Sequence, residues 1–458
     1  MEGRYTDAAL TRKQRVFACV ESAPGRLTFP QPTDAIRPAG DATMNQAPSY
    51  TDSSEKFDTL DLLDQFPNAM PPGEWQVPQY VRMAGFGLAP QGLALFESAF
   101  GRKGEDVYAE LDDDITDTDT SIVLSDVAGD VPPVGAIKID DEIIRYGKYD
   151  KVSHTLSECV RGYDHTTAAA HLEDTPIEML SVLYVLDTCY PTLTIWVETD
   201  HLIQYMTGCV VEELTVPVQN TDGLKLTFKG RGMAMGWAGK SPVKTAASAG
   251  DSVVVVTDPK RYCEGARIYN RDKNDFGTEG YAVKAVNEVS GELTLESAIL
   301  QDWDVDDEVS GYLPPADIGG DVILSRDTTI MLDGVPGKVT QTNLTIGTPV
   351  EFLEEVGTKF PEEYVGIVRK VSMNVDTILR RASVDKFKEG YLGKESEVVL
   401  TMGADPGQKV SFYMPRLKTS VPTVQFSGPA ATLQISGTAL GMVDGQQVGE
   451  NSVCAVFE

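Results

Sequence analysis

Side chains that could do chemistry are few or scattered in this sequence. Four histidines occur, His154, His165, His171 and His201, a thin supply for metal binding or for proton transfer near neutral pH. His165 and His171 are six apart with no carboxylate or cysteine at a ligand-like spacing, which reads as ordinary loop chemistry. The six cysteines, Cys19, Cys159, Cys189, Cys209, Cys263 and Cys454, form no C-x-x-C pair, so free buried thiols are expected and not a zinc or redox site. Carboxylates are abundant. Asp112-Asp113-Asp114, Asp140-Asp141-Glu142 and Asp306-Asp307-Glu308 could each supply the paired acids of glycoside hydrolysis, and their number singles out none. The run Asp112 to Asp119 offers oxygens to Ca²⁺ but lacks the twelve-residue loop with a central Gly and a terminal Glu, so a solvated linker is expected. Gly230-Arg231-Gly232-Met233-Ala234-Met235-Gly236 comes near a dinucleotide fingerprint, yet its third interval is wrong and it opens no helix. There is no P-loop, G-x-S-x-G or H-E-x-x-H. The expectation is a chain that is not an enzyme, with no catalytic residue, metal ligand, cofactor-binding residue or cofactor.

Composition narrows the classes further. At about 150 residues per domain, 458 residues suggest roughly three domains. The 39 Lys and Arg stand against 69 Asp and Glu, a formal charge of −30, and such a field repels phosphate backbones. Nucleic-acid binding as a primary role is disfavoured. No apolar run approaches the ~18 to 20 residues of a membrane-spanning helix, mean hydropathy is −0.17, and Met1-Glu2-Gly3-Arg4-Tyr5 has no apolar signal-peptide region. A soluble protein made in a cytoplasm, with no membrane partner, is expected.

Any functional surface must therefore be built by the framework, and that framework is mainly β. Thr192 to Val197, Glu212 to Val218, Leu224 to Phe228 and Val371 to Val375 alternate apolar with polar residues, the mark of half-buried strands. The 41 Gly and 26 Pro supply turns, and Asn220-Thr221-Asp222-Gly223 between two such runs predicts a hairpin. Only two helices are expected. One spans Pro90 to Gly101, with Leu93, Phe96 and Phe100 on one face; the other spans Asp376 to Gly390, with Asp376 as N-cap and Gly390 as the stop.

Each helix follows an alternating strand, Trp75 to Met83 in one case and Tyr364 to Val375 in the other, and each is followed by a similar hairpin. Thr215-Val216-Pro217-Val218-Gln219 through Leu226 to Gly230 parallels Val421-Pro422-Thr423-Val424-Gln425 through Leu433 to Gly437. This order reads as a diverged duplication. Two further segments resemble one another: Thr120 to Leu124, Gly135 to Ile139 and Thr155 to Ser157 match Asp251 to Val255, Gly265 to Tyr269 and Glu292 to Leu295. The expected organisation is a first framework domain in two parts, 12–104 and 183–240, an inserted β module at 114–182, a second β module at 243–313, and a second framework domain at 314–458. Residues 22–72, rich in Pro, Asp and Ser, read as an arm that orders on a neighbouring subunit.

This order of pieces resembles that of tail tube (major tail) proteins of long-tailed, siphovirus-like bacteriophages and related tailed viruses. The resemblance is carried by Arg15 to Glu21 with Ser22-Ala23-Pro24-Gly25, the arm, Leu95 to Gly101, Gly208 to Leu214, and in the second portion Phe360 to Glu363, Tyr413 to Arg416 and Ala439-Leu440. Gly135 to Tyr146 with Arg161 to His171 is similar to a β module recurring in phage structural proteins. The resemblance implies a duplicated β-sandwich or barrel with flanking helices, a self-assembling virion structural protein whose sheets join side by side into stacked rings. With two tube domains per chain it implies a homotrimeric, pseudo-hexameric ring. It further implies a channel for DNA ejection and for the tape measure protein, tail terminator and tail tip proteins at the ends, DNA passing without specific binding, outward-facing modules, and assembly in a host cytoplasm. Two other classes fit the composition. A carbohydrate-active β protein would place Trp75, Trp196, Trp237 or Trp303 in a cleft beside a carboxylate pair, and a surface-layer or adhesin array of β modules would carry an export signal.

Overall fold

A computed structural model of the chain describes residues 10, 12–58, 61–220, 223–426, 430–441 and 451–458. Met1 to Tyr5 and the Thr221-Asp222 centre of the expected hairpin turn lie outside the described residues. The protein is mainly β. The first half begins with β1 (Arg15–Val20), β2 (Thr43–Asn45), the hairpin β3 (Tyr50–Asp52) and β4 (Gln65–Pro67), β5 (Gly73–Tyr80) and helix α1 (Leu93–Phe100). An inserted segment follows with β6 (Tyr108–Leu111), β7 (Ser121–Ala128), β8 (Gly135–Ile139), β9 (Glu142–Tyr146), β10 (Lys148–Asp150), β11 (Thr155–Ser157), β12 (Val160–Tyr163) and β13 (Glu178–Met179). The first half resumes with β14 (Val182–Leu186), β15 (Leu193–Glu198), β16 (Ile203–Gln219) and β17 (Lys225–Gly232). The second insert holds β18 (Lys240–Thr245), β19 (Val253–Val256), β20 (Arg267–Asn270), β21 (Tyr281–Asn287), β22 (Glu292–Leu295) and β23 (Glu308–Gly311). The second half comprises β24 (Gln341–Gly347), the hairpin β25 (Val350–Leu353) and β26 (Glu363–Gly366), β27 (Lys370–Ile378), α2 (Asp385–Leu392), β28 (Glu395–Met402), β29 (Val410–Thr419), β30 (Thr423–Gln425), β31 (Thr432–Ala439) and β32 (Cys454–Phe457).

The two inserts share one strand order. The second is a closed barrel, β18-β19-β22-β21-β20-β23. In the first, β6 pairs β7, β7 pairs β11, β11 pairs β10, β9 pairs β8 and β8 pairs β13, so that β9 and β10 together take the place of the single bent β21. Their cores differ in independence. Ile122, Ile137, Ile144, Tyr146 and Leu156 close a core belonging to the first insert alone, whereas Val254, Ile268 and Trp303 of the second pack into one cluster with Phe17, Trp196 and Tyr205 of the framework. The acidic run after β6 is a loop within the first insert and not a linker before it. Asp119 accepts from the Thr116 amide at 2.6 Å and the Thr116 hydroxyl at 2.8 Å, which folds the run back on itself.

The halves, by contrast, share a single core. Val77, Phe96, Phe228, Leu344, Met373, Phe412 and Phe457 belong to one buried cluster. The C-terminal strand β32 is inserted between β29 of the second half and β14 of the first, which brings Phe457 within 5.0 Å of the Phe96 ring and 5.5 Å of the Tyr184 ring. Edge-to-face aromatic pairs add about 0.5–1.5 kcal/mol each to the burial they accompany.

The helices are unequal. In α1, Ala94, Leu95, Phe96, Ala99 and Phe100 are buried, while Leu93 points outward, so the apolar stripe is displaced from the one the sequence suggested. Gly92 precedes the helix at φ 78°, where a Cβ would meet the Gln79 side chain at 2.7 Å. The second helix does not begin at Asp376. The alternation Val371, Met373, Val375 continues through the β-branched Thr377-Ile378, which keeps Asp376 inside β27 opposite Gln341 and Gln434. The helix starts at Asp385, Gly390 lies within it, and Gly393 at φ 63° ends it. A Cβ on Gly390 would stand 2.5 Å from the Ser420 carbonyl, so glycine there permits the helix to lie against the turn leading into β30. The strand expected from Tyr364 to Val375 is likewise two strands, β26 and β27.

Candidate functional site

The largest regular surface is one face of an eight-stranded antiparallel sheet. Pairing runs β2–β5–β17–β16–β24–β27–β31–β30. Four strands come from each half in the same spatial order: β2, β5, β17, β16, then β24, β27, β31, β30. Chain order within each set also coincides, because the first two strands of each precede its helix and the last two form the following hairpin. The two sets are joined where β16 pairs β24 over seven residue pairs, from Glu213 opposite Gly347 to Gln219 opposite Gln341. Among the described residues, β2 pairs only with β5 and β30 only with β31, so the sheet ends in two free edges, one of each type that meets at the internal junction.

Period-2 geometry sorts the side chains. Val77, Leu226, Phe228, Leu214, Val216, Leu344, Ile346, Val371 and Met373 point into the core. The opposite face bears mainly hydroxyls and amides. One row across the sheet reads Thr227, Thr215, Thr345, Ser372, Thr438, and another reads Gln219, Gln341, Asp376, Gln434, Thr423. Its basic groups are Lys225, Lys229, Arg231 and Lys370; its acidic groups are Glu74, Glu213 and Asp376. Glu212, at a bulge in β16, takes up Arg231 through Nη2 at 2.6 Å and Nε at 2.8 Å, leaving the face close to neutral.

A second component accompanies the junction. The hairpin β25–β26, which leaves β24 immediately, crosses onto the first half. Val350, Phe352 and Tyr364 pack with Tyr190, Val210 and Met233. Thr348 Oγ1 donates to the Val211 carbonyl at 2.7 Å, the Val350 amide donates to Glu212 Oε1 at 3.2 Å, and the Tyr364 hydroxyl donates to the Tyr190 carbonyl. In the corresponding hairpin of the first half, β3–β4, Tyr50, Phe57, Leu62, Leu63 and Phe66 are exposed.

The residues weighed for chemistry are placed elsewhere. His171 is buried, with Nδ1 2.9 Å from Asp140 Oδ2 and Nε2 3.0 Å from Glu142 Oε2, so the fold supplies the carboxylates that sequence spacing did not. Glu142 also accepts from Arg161 Nε at 2.9 Å and Nη2 at 2.8 Å and from the amides of Gly162 at 2.8 Å and Ala169 at 3.1 Å. Burial pushes the Glu142 carboxyl up, but Arg161, the two amides and His171 together overcome it and hold the group at about 2. This network fastens the loop 158–171 to β9 and leaves the carboxylate no free side for a reactant. His154 Nδ1 faces the Tyr149 hydroxyl at 2.9 Å. Cys19, Cys159, Cys209 and Cys454 are buried free thiols, and Cys189 is exposed. Gly230 and Gly232 lie in β17, and Ala234–Ala238 is a further strand. Among the described residues no group of three His, Cys, Asp or Glu side chains is arranged to hold a metal ion, and no helix is long and apolar enough to cross a membrane. Trp75, Trp196 and Trp303 are buried, and only Trp237 has substantial exposure.

No protein family and no curated protein matches the sequence.

Proposed function

We propose that this chain is a structural subunit of a viral tail tube, in which three copies close a pseudo-hexameric ring and rings stack around a channel lined by the polar face of the eight-stranded sheet. The observation that carries the reading is the repeated four-strand unit joined edge to edge within the chain, with one free edge of each kind at its ends. Head-to-tail contacts between unlike surfaces generate closed rings when copy number and rotation agree, and three such chains supply six similar units. Roughly 24 strands at about 4.8 Å spacing give a circumference of about 115 Å and a backbone diameter of about 37 Å before strand tilt widens it. A duplex and the tape measure protein fit such a bore, and its near-neutral lining holds few counterion-releasing contacts on phosphate. Tail terminator and tail tip proteins would cap the stack, placing the protein in the virion tail. Electron microscopy of the concentrated protein tests this: hollow tubes with three chains per layer are expected. Persistent monomers, or six full-length chains per layer, would refute it.

A further inference from the structure

We infer that the contact between successive copies reproduces the internal junction in register, with β30 of one copy pairing β2 of the next, and that the β3–β4 hairpin, unlike its internal counterpart, is seated on the outer side of α2. This inference rests on the ring reading and specifies its interface. The sequence repeat places Leu226-Thr227-Phe228 on Leu433-Gln434-Ile435. Thr227 pairs with Thr215 and Pro78, and Gln434 pairs with Thr423 and Asp376. Strand pairing therefore makes Thr423 the counterpart of Thr215, two residues from the Val421 that the sequence parallel sets against it, and Asp376 that of Pro78. Carried one strand outward, Thr43 and Asn45, opposite Gln76 and Glu74, correspond to Asn343 and Thr345, opposite Asn374 and Ser372. The internal pairs Thr215 with Thr345, Val216 with Leu344 and Pro217 with Asn343 then translate into Thr423 with Asn45, Val424 with Met44 and Gln425 with Thr43. The two three-residue edge strands overlap along their full lengths, a coincidence the transfer did not impose.

The same transfer places Tyr50 where Val350 sits, beside Ser420, the counterpart of Glu212. The surface at that point is prepared for an apolar partner. The α2 helix buries none of its residues, and Tyr391 and Phe426 are 81% and 84% exposed, with Leu392 and Val421 also outward. Gly390 holds this helix against Ser420 and Val421 at the entrance to β30. Charge is complementary as well: residues 380–394 carry five basic and two acidic side chains, and residues 50–67 carry five acidic and one basic. An acidic hairpin with exposed aromatics leaves the strand that would pair β30, and beside that strand lies a helix that is net neutral, exposes Tyr391 and Leu392, and is flanked by the basic residues Arg380, Arg381 and Lys394.

The full chain, with the exposed Cys189 replaced by serine, tests the register through Asn45→Cys combined with Thr423→Cys. Directly opposed residues fall within disulfide reach, while a diagonal pair two residues away is about 7–8 Å apart. Oxidation is expected to convert this variant into a reducible ladder ending in a closed trimer, and Asn45→Cys with Gln425→Cys is expected to remain unlinked. Tubes in which the second pair links, or neither does, would overturn the register and leave the tube reading standing. Absence of both tubes and cross-links would overturn both. Tyr391→Asp, in the cross-linking background with an unchanged circular dichroism spectrum, is expected to abolish the ladder; an undiminished ladder would overturn the hairpin seat.

Discussion

Replacing Glu142 with glutamine is expected to release the loop 158–171 of the first insert while the rest of the chain stays folded. Ionised Glu142 receives five hydrogen bonds, two from Arg161, two from backbone amides and one from His171, and its side chain is 1% exposed. A folded-state value of about 2 against an ordinary 4.5 corresponds to roughly 3 kcal/mol at 1.36 kcal/mol per unit, which screening near the exposed Asp140 trims to about 2 kcal/mol. Glutamine keeps one acceptor and turns a donor toward groups that are themselves donors, so the cost rises to about 3–5 kcal/mol, the usual result of breaking a buried ion pair. For a depressed carboxyl the stabilisation is complete above its unfolded value near 4.5 and is lost as pH falls through about 2. Hydrogen exchange of the full chain reads this directly. At neutral pH the Gly162 and Ala169 amides of the variant are expected to lose protection by roughly 100-fold or more, and the native chain to show the same loss only between about pH 4.5 and pH 2. Undiminished protection in the variant, or loss in the native chain at pH 6, would refute the network as the loop's fastening.

Phe457→Ala is expected to cost about 3–5 kcal/mol and lower the melting temperature measured by calorimetry, because the ring is fully buried against Phe96 and Tyr184. Arg145→Ala would strand the fully buried carboxylate of Glu458, whose partner at 3.2 Å it is, and is expected to raise hydrogen exchange along β32 and β9. Excising the first insert with a short linker is expected to leave the rest of the chain folded but with a lower melting temperature by calorimetry, since its own core leaves with it while Val134 and Arg145 are withdrawn from Val185, Val456 and Glu458, whereas excising the second is expected to yield insoluble chain by exposing Phe17, Trp196 and Tyr205. In the proposed tube, native rings are expected to retain no DNA at physiological salt in a co-sedimentation assay, and Thr215→Arg with Thr345→Arg to retain it in a salt-dependent manner.

Much of the framework is legible in the sequence because period-2 alternation is a direct consequence of one buried and one solvated face. That signal located β15, β16, β17 and β27. It failed where tertiary context decided the outcome. Asp376 has the chemistry of an N-cap, but the strand it sits in is held on both sides by β24 and β31. His171 has no nearby ligand in sequence because its partners sit at the β8–β9 turn, 31 and 29 positions earlier. The insertion of β32 between the halves has a local signal of its own. Val453-Cys454-Ala455-Val456-Phe457 is an unbroken apolar run, as expected of a strand covered on both faces.

The distribution of charge gives the polar face its meaning. A chain at −30 could spread its acidity evenly and owe it to solubility alone. It does not: residues 114–182 carry fourteen acidic against five basic side chains, and residues 243–313 carry fourteen against seven, so the two inserts hold more than half of the net charge. The eight-stranded face, drawn from the same chain, has four basic groups against three acidic ones, with Arg231 further neutralised by Glu212. Acidity is thus segregated from the face that would line a channel, and uncharged hydroxyl and amide rows occupy it. Such a lining neither binds a polyanion through counterion release nor raises a barrier of like charge along the bore, whereas acidic inserts on the outside would keep neighbouring tubes apart at a range set by the Debye length.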